Sequence, residues 1–262
     1  MKYDITIFAN YFNRMNKILI SLLVLFTATI AQAQIHEVGL GVGGSNYVGD
    51  VGSTKYIDPT NVGFNAFYRW NRSPRHSYKV SISQNKISGN DAKSDMQSRK
   101  ARGYSFTNTI QQVAVGVEFN FFEFDLHEEN FGLTPYLYIG VAGIRYNDLH
   151  YRTFEPIESY DPTGIDDLDK LNKKSTDLVR GSKTNSVAIP FAGGIKLRLT
   201  SQLNLNAEVA ANYTFTDNLD GSHPKQENRK SYSFGKNGND WFFYSSLTLS
   251  YTFGKNPCYC AD

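Results

Sequence analysis

The segment from Trp241 to Phe253 carries Trp241, Phe243, Leu247, Leu249, Tyr251 and Phe253 at alternate positions, with Ser246, Thr248, Ser250 and Thr252 between them. A period of two sustained over a dozen residues describes a β-strand with one apolar and one polar face. Seven upstream segments repeat the pattern, at about 36–48, 62–70, 76–84, 110–121, 135–146, 187–199 and 203–215. The clearest interior one sets Val113, Val115, Val117, Phe119 and Phe121 against Ala114, Gly116, Glu118 and Asn120. At 135–146 the pattern reads with Leu137, Ile139 and Val141 outward and Tyr138, Gly140 and Ala142 inward.

Membrane barrels and soluble barrels both alternate, so the non-apolar face decides between them. Open to water, that face would be stocked with Lys and Glu; here it is mostly Gly, Ala, Ser, Thr and Asn with isolated charges. Such a composition suits a confined interior, and the apolar face then looks at lipid. The segments meet or approach the ~9–11 residues a tilted strand needs to cross a bilayer. Closure follows, because an open edge in hydrocarbon leaves backbone groups unsatisfied. The expected fold is all-β: an eight-stranded antiparallel transmembrane β-barrel, OmpA/OmpW-like, over residues 34–254.

The connections alternate in length. Asn71–Arg75, Glu123–Thr134 and Thr200–Gln202 are short, whereas 49–61, 85–109, 147–186 and 216–240 are long. Short turns lie in the periplasm and long loops outside in outer-membrane barrels. Both termini are therefore expected in the periplasm, with residues 255–262 as a periplasmic tail. The polar 147–186 stretch is assigned no structure.

Ahead of the strands, Asn16 and Lys17 precede an apolar run from Ile18 to Ile30 and then Ala31-Gln32-Ala33. A charged start, a short apolar run and a small-x-small site read as a secretory signal. This makes residues 1–33 a signal peptide, with the true start at Met15 and Gln34 as the first mature residue. No cysteine follows the cleavage site directly, which argues against a lipoprotein.

Several function classes are narrowed by the same residues. Near-balanced charge, 27 Lys+Arg against 25 Asp+Glu, gives no reason for a nucleic-acid partner. Aromatics at 14% suit girdles at two membrane interfaces. An eight-stranded barrel has an interior just wide enough for side chains to fill. Glu37, Glu118 and Glu208 are therefore expected to pair with some of Arg69, Lys79, Lys196 and Arg198 as a plug in the lumen, a binding or proton path for very small solutes being the other reading. His36, His76, His127, His150 and His223 show no spacing that suggests a catalytic or metal-binding set, and no cofactor is expected. Asp166, Asp167 and Asp169 lack the glycine and closing Glu of a calcium loop. Lys93, Arg99, Lys100 and Arg102 form a basic run that is either solvated or set against lipopolysaccharide phosphates, so outer-membrane lipid and lipopolysaccharide are expected partners. Cys258 and Cys260 stand too close for an unstrained bridge and read as a terminal tag, intermolecular pairing or free thiols.

Five stretches carry a family resemblance: Gly43-Gly44-Ser45-Asn46-Tyr47-Val48-Gly49-Asp50; Thr134-Pro135-Tyr136-Leu137; Ile189-Pro190-Phe191 with Gly194 and Lys196; Phe215-Thr216-Asp217-Asn218-Leu219-Asp220; and Asp240-Trp241. Together they resemble the PorG-like group, the outer-membrane barrel component of the Bacteroidota type IX secretion apparatus. The corner of Phe215, Thr216, Asp217, Leu219 and Asp220 is the most specific part and is read as setting the barrel mouth. The chain departs from the group in a longer third outer loop and in Gly221, where a further acidic residue is expected. The resemblance implies a non-enzymatic anchor for a periplasmic ring of lipoprotein and partner subunits that supports protein secretion and gliding. Docking would fall on the periplasmic side, where Glu123, Asp125, Glu128, Glu129, Cys258 and Cys260 lie. Two other classes fit the barrel. One stabilises the envelope or passes small hydrophobic molecules sideways, marked by a lateral gap or an apolar lumen; the other is a lipid-modifying enzyme, which needs His, Ser and an acid brought together by folding.

Overall fold

A computed structural model describes residues 35–124, 132–154, 175–222, 235 and 238–254 of the chain. Its strands are β1 (Ile35–Val48), β2 (Asn61–Asn71), β3 (His76–Asn90), β4 (Ser105–Asn120), β5 (Leu133–Phe154), β6 (Ser175–Arg198), β7 (Leu203–Thr214) and β8 (Trp241–Phe253). They pair in chain order, every neighbour antiparallel, and β1 pairs with β8 from His36↔Phe253 to Val48↔Trp241, so the eight strands close into a barrel.

The faces follow the alternation. Leu40 (73% exposed), Phe64 (60%), Val113 (59%), Val141 (58%) and Leu247 (57%) are among the most exposed side chains. Each such residue in water forgoes about 1.5–3 kcal/mol of burial. A belt of them closed around the barrel therefore requires lipid as its solvent, which makes this a transmembrane barrel. Aromatic residues edge the belt. His36 stacks with Tyr68 and Phe253, and Trp70 lies tilted against Tyr78, at one end; Tyr213, Trp241 and Phe243 adjoin at the other.

Four strands are longer than the alternation predicts. β3 continues to Asn90 and β4 begins at Ser105, joined through a 3-10 turn (Asp91–Lys93) and a short helix, α1 (Gln97–Arg102). α1 buries no residue and has no side-chain cap at Met96, so neither periodicity nor a capping signal announces it; Gly103, at φ 72°, ends it. β5 runs to Phe154 and β6 starts at Ser175, so residues 147–154 and 175–186 of the stretch left without structure are strand. A register shift between Asn147 and Leu149 explains why the pattern stops. Ile144 and Tyr146 are buried before it, Leu149 and Tyr151 after it, so the inward parity changes from even to odd.

The lumen is likewise not polar throughout. At the long-loop end Ile87, Phe106, Ile110, Ile144, Leu149 and Phe242 turn inward and are at most 3% exposed. Outward neighbours there include Lys86, Gln111 and Arg145, all exposed. Beyond the bilayer the outer face meets a wet phase, so the strands bury their apolar side inward as a soluble protein does.

Nearer the short-turn end, large inward rings lie flat over glycine. A Cβ on Gly39 would fall 2.5 Å from the Phe67 ring of its cross-strand partner, and one on Gly194 would fall 2.6 Å from the Tyr136 ring. Gly39→Val is expected to destabilise the barrel by about 1–3 kcal/mol through overpacking. Urea unfolding in detergent reads this, and Leu40→Val on the lipid face is the near-neutral comparison.

Candidate functional site in the lumen and at its mouth

At the short-turn end the lumen is filled by charge. Arg69 lies between two carboxylates, with Nη1 2.8 Å from Glu37 Oε2 and Nη2 donating to Glu118 Oε2 at 2.8 Å. Lys196 Nζ donates to the other oxygen of Glu118 at 2.8 Å, and Lys79 Nζ to Glu208 Oε2 at 2.6 Å. Glu37, Arg69, Glu118 and Lys196 are all fully buried. Neutral donors complete the shells: Ser250 and Asn71 donate to Glu37, and the Tyr136 hydroxyl donates to Glu208 at 2.9 Å. Aromatic faces cover the cations, with Phe67 4.4 Å from the Arg69 guanidinium, Tyr138 4.8 Å from Lys79 Nζ and Phe124 4.7 Å from the Arg198 guanidinium. Of the four cations singled out in the sequence, Arg69, Lys79 and Lys196 meet carboxylates, while Arg198 stacks on Phe124.

Strand order makes this a seal. Glu37 and Arg69 are cross-strand neighbours, but Lys79 on β3 and Glu208 on β7 stand four strands apart and meet across the full lumen. Phe67 and Phe124 belong to the same layer and were not evident from the alternation. A bulky aromatic between two polar lumen positions on β2, Asn65 and Arg69, is the signal that marks Phe67.

At the long-loop end, described residues of three connections pack together over the mouth. The Phe215 to Asp220 corner drops Leu219 into the apolar lumen core, where it is fully buried beside Ile110 and Phe242. Asp240 accepts from the Leu219 amide at 2.9 Å and from the Tyr47 hydroxyl. Asp220 accepts from the Val51 amide at 3.1 Å and from the Ser222 amide and hydroxyl, at 2.8 and 2.6 Å. Thr216 meets Tyr146 at 2.8 Å. Two arginines of the basic run turn inward instead of facing lipid. Arg102 pairs with buried Asp91 at 2.7 Å and donates to the Asp50 carbonyl, while Arg99 donates to the Gly49 and Gly52 carbonyls at 2.7 and 3.0 Å. Asp91 and Arg102, at the two ends of the same connection, were not picked out as a pair.

The mouth holds several carboxylates whose ionised form burial disfavours. Burial, with the nearby Asp50 and Asp220 charges adding to it, pushes Asp217 up to about 7. Burial likewise raises Asp220, and raises Asp240 well above the usual carboxylate range with the Asp220 charge contributing. Among the described residues no set of three or more His, Cys, Asp or Glu side chains is placed to hold a metal ion.

A family model described as a domain of unknown function, DUF6089, matches residues 16–262. The chain belongs to the DUF6089 family. No curated protein matches it in sequence. Among solved structures, the DUF6089 chain is similar to Neisserial surface protein A, at 9% identity and a TM-score of 0.45 over 83% of this chain and 97% of that one. It is also similar to Ail of Yersinia pestis (12%, 0.40, covering 85% and 100%) and to a major outer membrane protein of Thermus thermophilus (13%, 0.40, covering 85% and 100%).

Of the positions read as periplasmic docking candidates in this DUF6089 barrel, Glu123 is exposed at the second short turn and pairs with Arg75 at 3.3 Å. Asp125, Glu128, Glu129, Cys258 and Cys260 lie outside the described residues, as do the signal segment, His127, His223 and the 166–169 acidic cluster.

Proposed function

We propose that this DUF6089 chain is a non-enzymatic outer-membrane barrel, with long loops outside and termini in the periplasm, that anchors periplasmic ring subunits of a type IX secretion apparatus. The observation that carries a surface role is the Lys79 to Glu208 pair spanning the lumen, backed by fully buried Arg69, Glu118 and Lys196. A barrel sealed in this way acts through its ends. The secretion assignment is supported by the sequence resemblance at the Phe215 to Asp220 corner, and docking at the short-turn end by the exposed Arg75 and Glu123 turn. Sideways passage of hydrophobic molecules gains support from the apolar lumen at the long-loop end and from β4 and β5 pairing only between Gln111↔Arg145 and Asn120↔Tyr136, but across the membrane belt every adjacent strand pair, including β1 with β8, is joined by a ladder among the described residues. The lipid-modifying alternative gains nothing from His36, which bonds Tyr68, or His76, which bonds Ser73.

Crosslinking in native envelopes, affinity capture and mass spectrometry test the proposal, with a deletion strain assayed for secretion. Recovery of periplasmic ring lipoproteins together with loss of export on deletion is the expected result. A protein captured without partners, with export intact on deletion, would overturn it.

A further inference from the structure

The lipid-facing belt differs in height around the barrel. On β6, β7 and β8 every outward position is apolar or small from Val187 to Leu199, from Leu203 to Phe215 and from Trp241 to Phe253. At a strand tilt of about 40° each residue climbs roughly 2.5 Å, so these strands carry roughly 30 Å of belt, the full thickness of the hydrocarbon. β4 and β5 stop sooner, with outward apolar residues from Phe121 to Val113 and from Leu133 to Val141, roughly 20 Å each. β3 offers only Tyr78, Val80 and Ile82, roughly 10 Å. Past those ends the outward residues are Gln84, Lys86, Gln111 and Arg145, all exposed, and the Gln111 amide donates to the Gln84 side chain at 3.3 Å. β1 is also short of outward apolar residues past Val42, but there the β1–β2 loop sets Tyr56 edge-on to Phe243 at 5.7 Å, and Tyr56 and Ile57 are 67% and 61% exposed.

The registers put the two sides on one scale. The cross-strand row that leaves β1 at His36 passes Tyr78, Ile139 and Phe191 and returns to β1 at Asn46, ten residues further along. Each step to the next strand therefore gains roughly 3 Å of height, which brings Lys86, Gln111 and Arg145 within roughly 5 Å of the level of Val187, Phe215 and Trp241. The short-turn edges of the belt, at Phe121, Leu133, Leu199 and Phe253, also agree within roughly 5 Å. Tilting a rigid barrel moves both edges of one side together, so it cannot level the long-loop edge. The inward residues record the same difference. Behind the polar outward positions stand Ile87 on β3, Ile110 on β4 and Ile144 on β5, buried, whereas β7 at this height turns Asn212 and Thr214 inward. One side of the barrel is built for water outside at a level where the other is built for lipid.

We propose that the wall of β3, β4 and β5 thins the membrane beside it, the headgroup layer at its long-loop edge dipping by roughly 10 Å relative to β6–β8. A hydrophobic wall shorter than the bilayer is met by lipids that shorten or tilt their chains, because leaving Gln84, Gln111 and Arg145 in hydrocarbon costs more than deforming the leaflet. The surface partner is thus a locally shortened bilayer along one third of the circumference, held against full-length lipid on β6–β8. This holds whichever end faces out, and it is independent of any secretion role.

Full-length protein carrying Cys258→Ser and Cys260→Ser is folded into oleoyl phosphatidylcholine vesicles, with folding read by the heat-modifiable gel band. Gln111→Cys, Arg145→Cys, Val187→Cys and Phe215→Cys, one at a time, carry a nitroxide. Its depth is read from collisions with oxygen, which concentrates in hydrocarbon, against a water-soluble nickel chelate. Nitroxides at Gln111 and Arg145 are expected in the headgroup layer and those at Val187 and Phe215 inside the hydrocarbon, a difference of roughly 10 Å in immersion between sites at nearly one height. All four in water would overturn the proposal and leave the upper β6–β8 face to a protein partner. All four in hydrocarbon would overturn it by showing a level bilayer around the polar row. Gln84→Leu with Gln111→Leu and Arg145→Leu lengthens the short wall, so a nitroxide at Lys86→Cys should pass from the headgroup layer into the hydrocarbon. A nitroxide that stays in water in that folded variant would also overturn the proposal.

Discussion

Glu118→Gln is expected to destabilise the folded barrel by about 3–5 kcal/mol, because it strips a buried carboxylate from between two buried cations. Arg69 would keep Glu37, but Lys196 would lose the carboxylate charge to which it donates at 2.8 Å, keeping Asn120 at 3.4 Å and a neutral amide oxygen in its place. Urea titration of the detergent-folded protein, followed by loss of the heat-modifiable band, measures this. A change below about 1 kcal/mol would mean that water reaches the site and screens it. A second comparison separates the value of a pair from the cost of breaking it. Lys79→Met alone leaves the Glu208 carboxylate with the Tyr136 hydroxyl, whereas Lys79→Met with Glu208→Leu removes both charges. The double variant is expected to be the more stable of the two, since apolar replacement of a buried ion pair is often near neutral.

Asp220→Ala is expected to loosen the mouth while leaving the membrane-spanning ladder intact. It removes the acceptor for the buried Val51 amide and for the Ser222 amide and hydroxyl. A lost buried acceptor costs about 1–3 kcal/mol, or roughly 10–100-fold faster hydrogen exchange at Val51 and Ser222. Asp220→Asn keeps an oxygen acceptor and should lose less. The same loops should respond to pH. Asp217, ordinarily near 3.8, is held at about 7, and Asp220 and Asp240 are also raised. The folded mouth therefore holds protons that the opened state releases. The stabilisation this gives is complete below about pH 4 and is lost as pH rises through 7. Exchange at these amides, corrected for its intrinsic pH dependence, should be slower at pH 5 than at pH 8. Asp217→Asn should reduce the difference, and a flat profile in the wild type would overturn the assignment.

How much of this was legible in the sequence varies with distance along the chain. The alternation in β4 and β8 gave the lipid face residue by residue, because a strand's two faces meet different phases and the period of two records it. Glu37, Arg69, Glu118 and Lys196 on the non-apolar faces lie buried in the lumen, since a charge on that face of a small barrel has nowhere to go but inward. Legibility ended at the bilayer boundary. There Ile87, Ile110 and Ile144 turn inward beneath polar outward neighbours, and the bulge at Asn147 reverses the parity of β5. Arg99 and Arg102 looked like exposed cations because their partners, backbone carbonyls of the β1–β2 loop and Asp91, leave no compositional trace.

The sequence by itself determined that the chain closes a membrane barrel, because partition between lipid and a confined interior acts on each residue locally, at its own position on the strand. Only the tertiary structure decided which charges pair and how the mouth shuts. Lys79 meets Glu208 across 129 residues and Val51 meets Asp220 across 169. Such contacts depend on closure, shear and the paths of the loops, which no local pattern encodes.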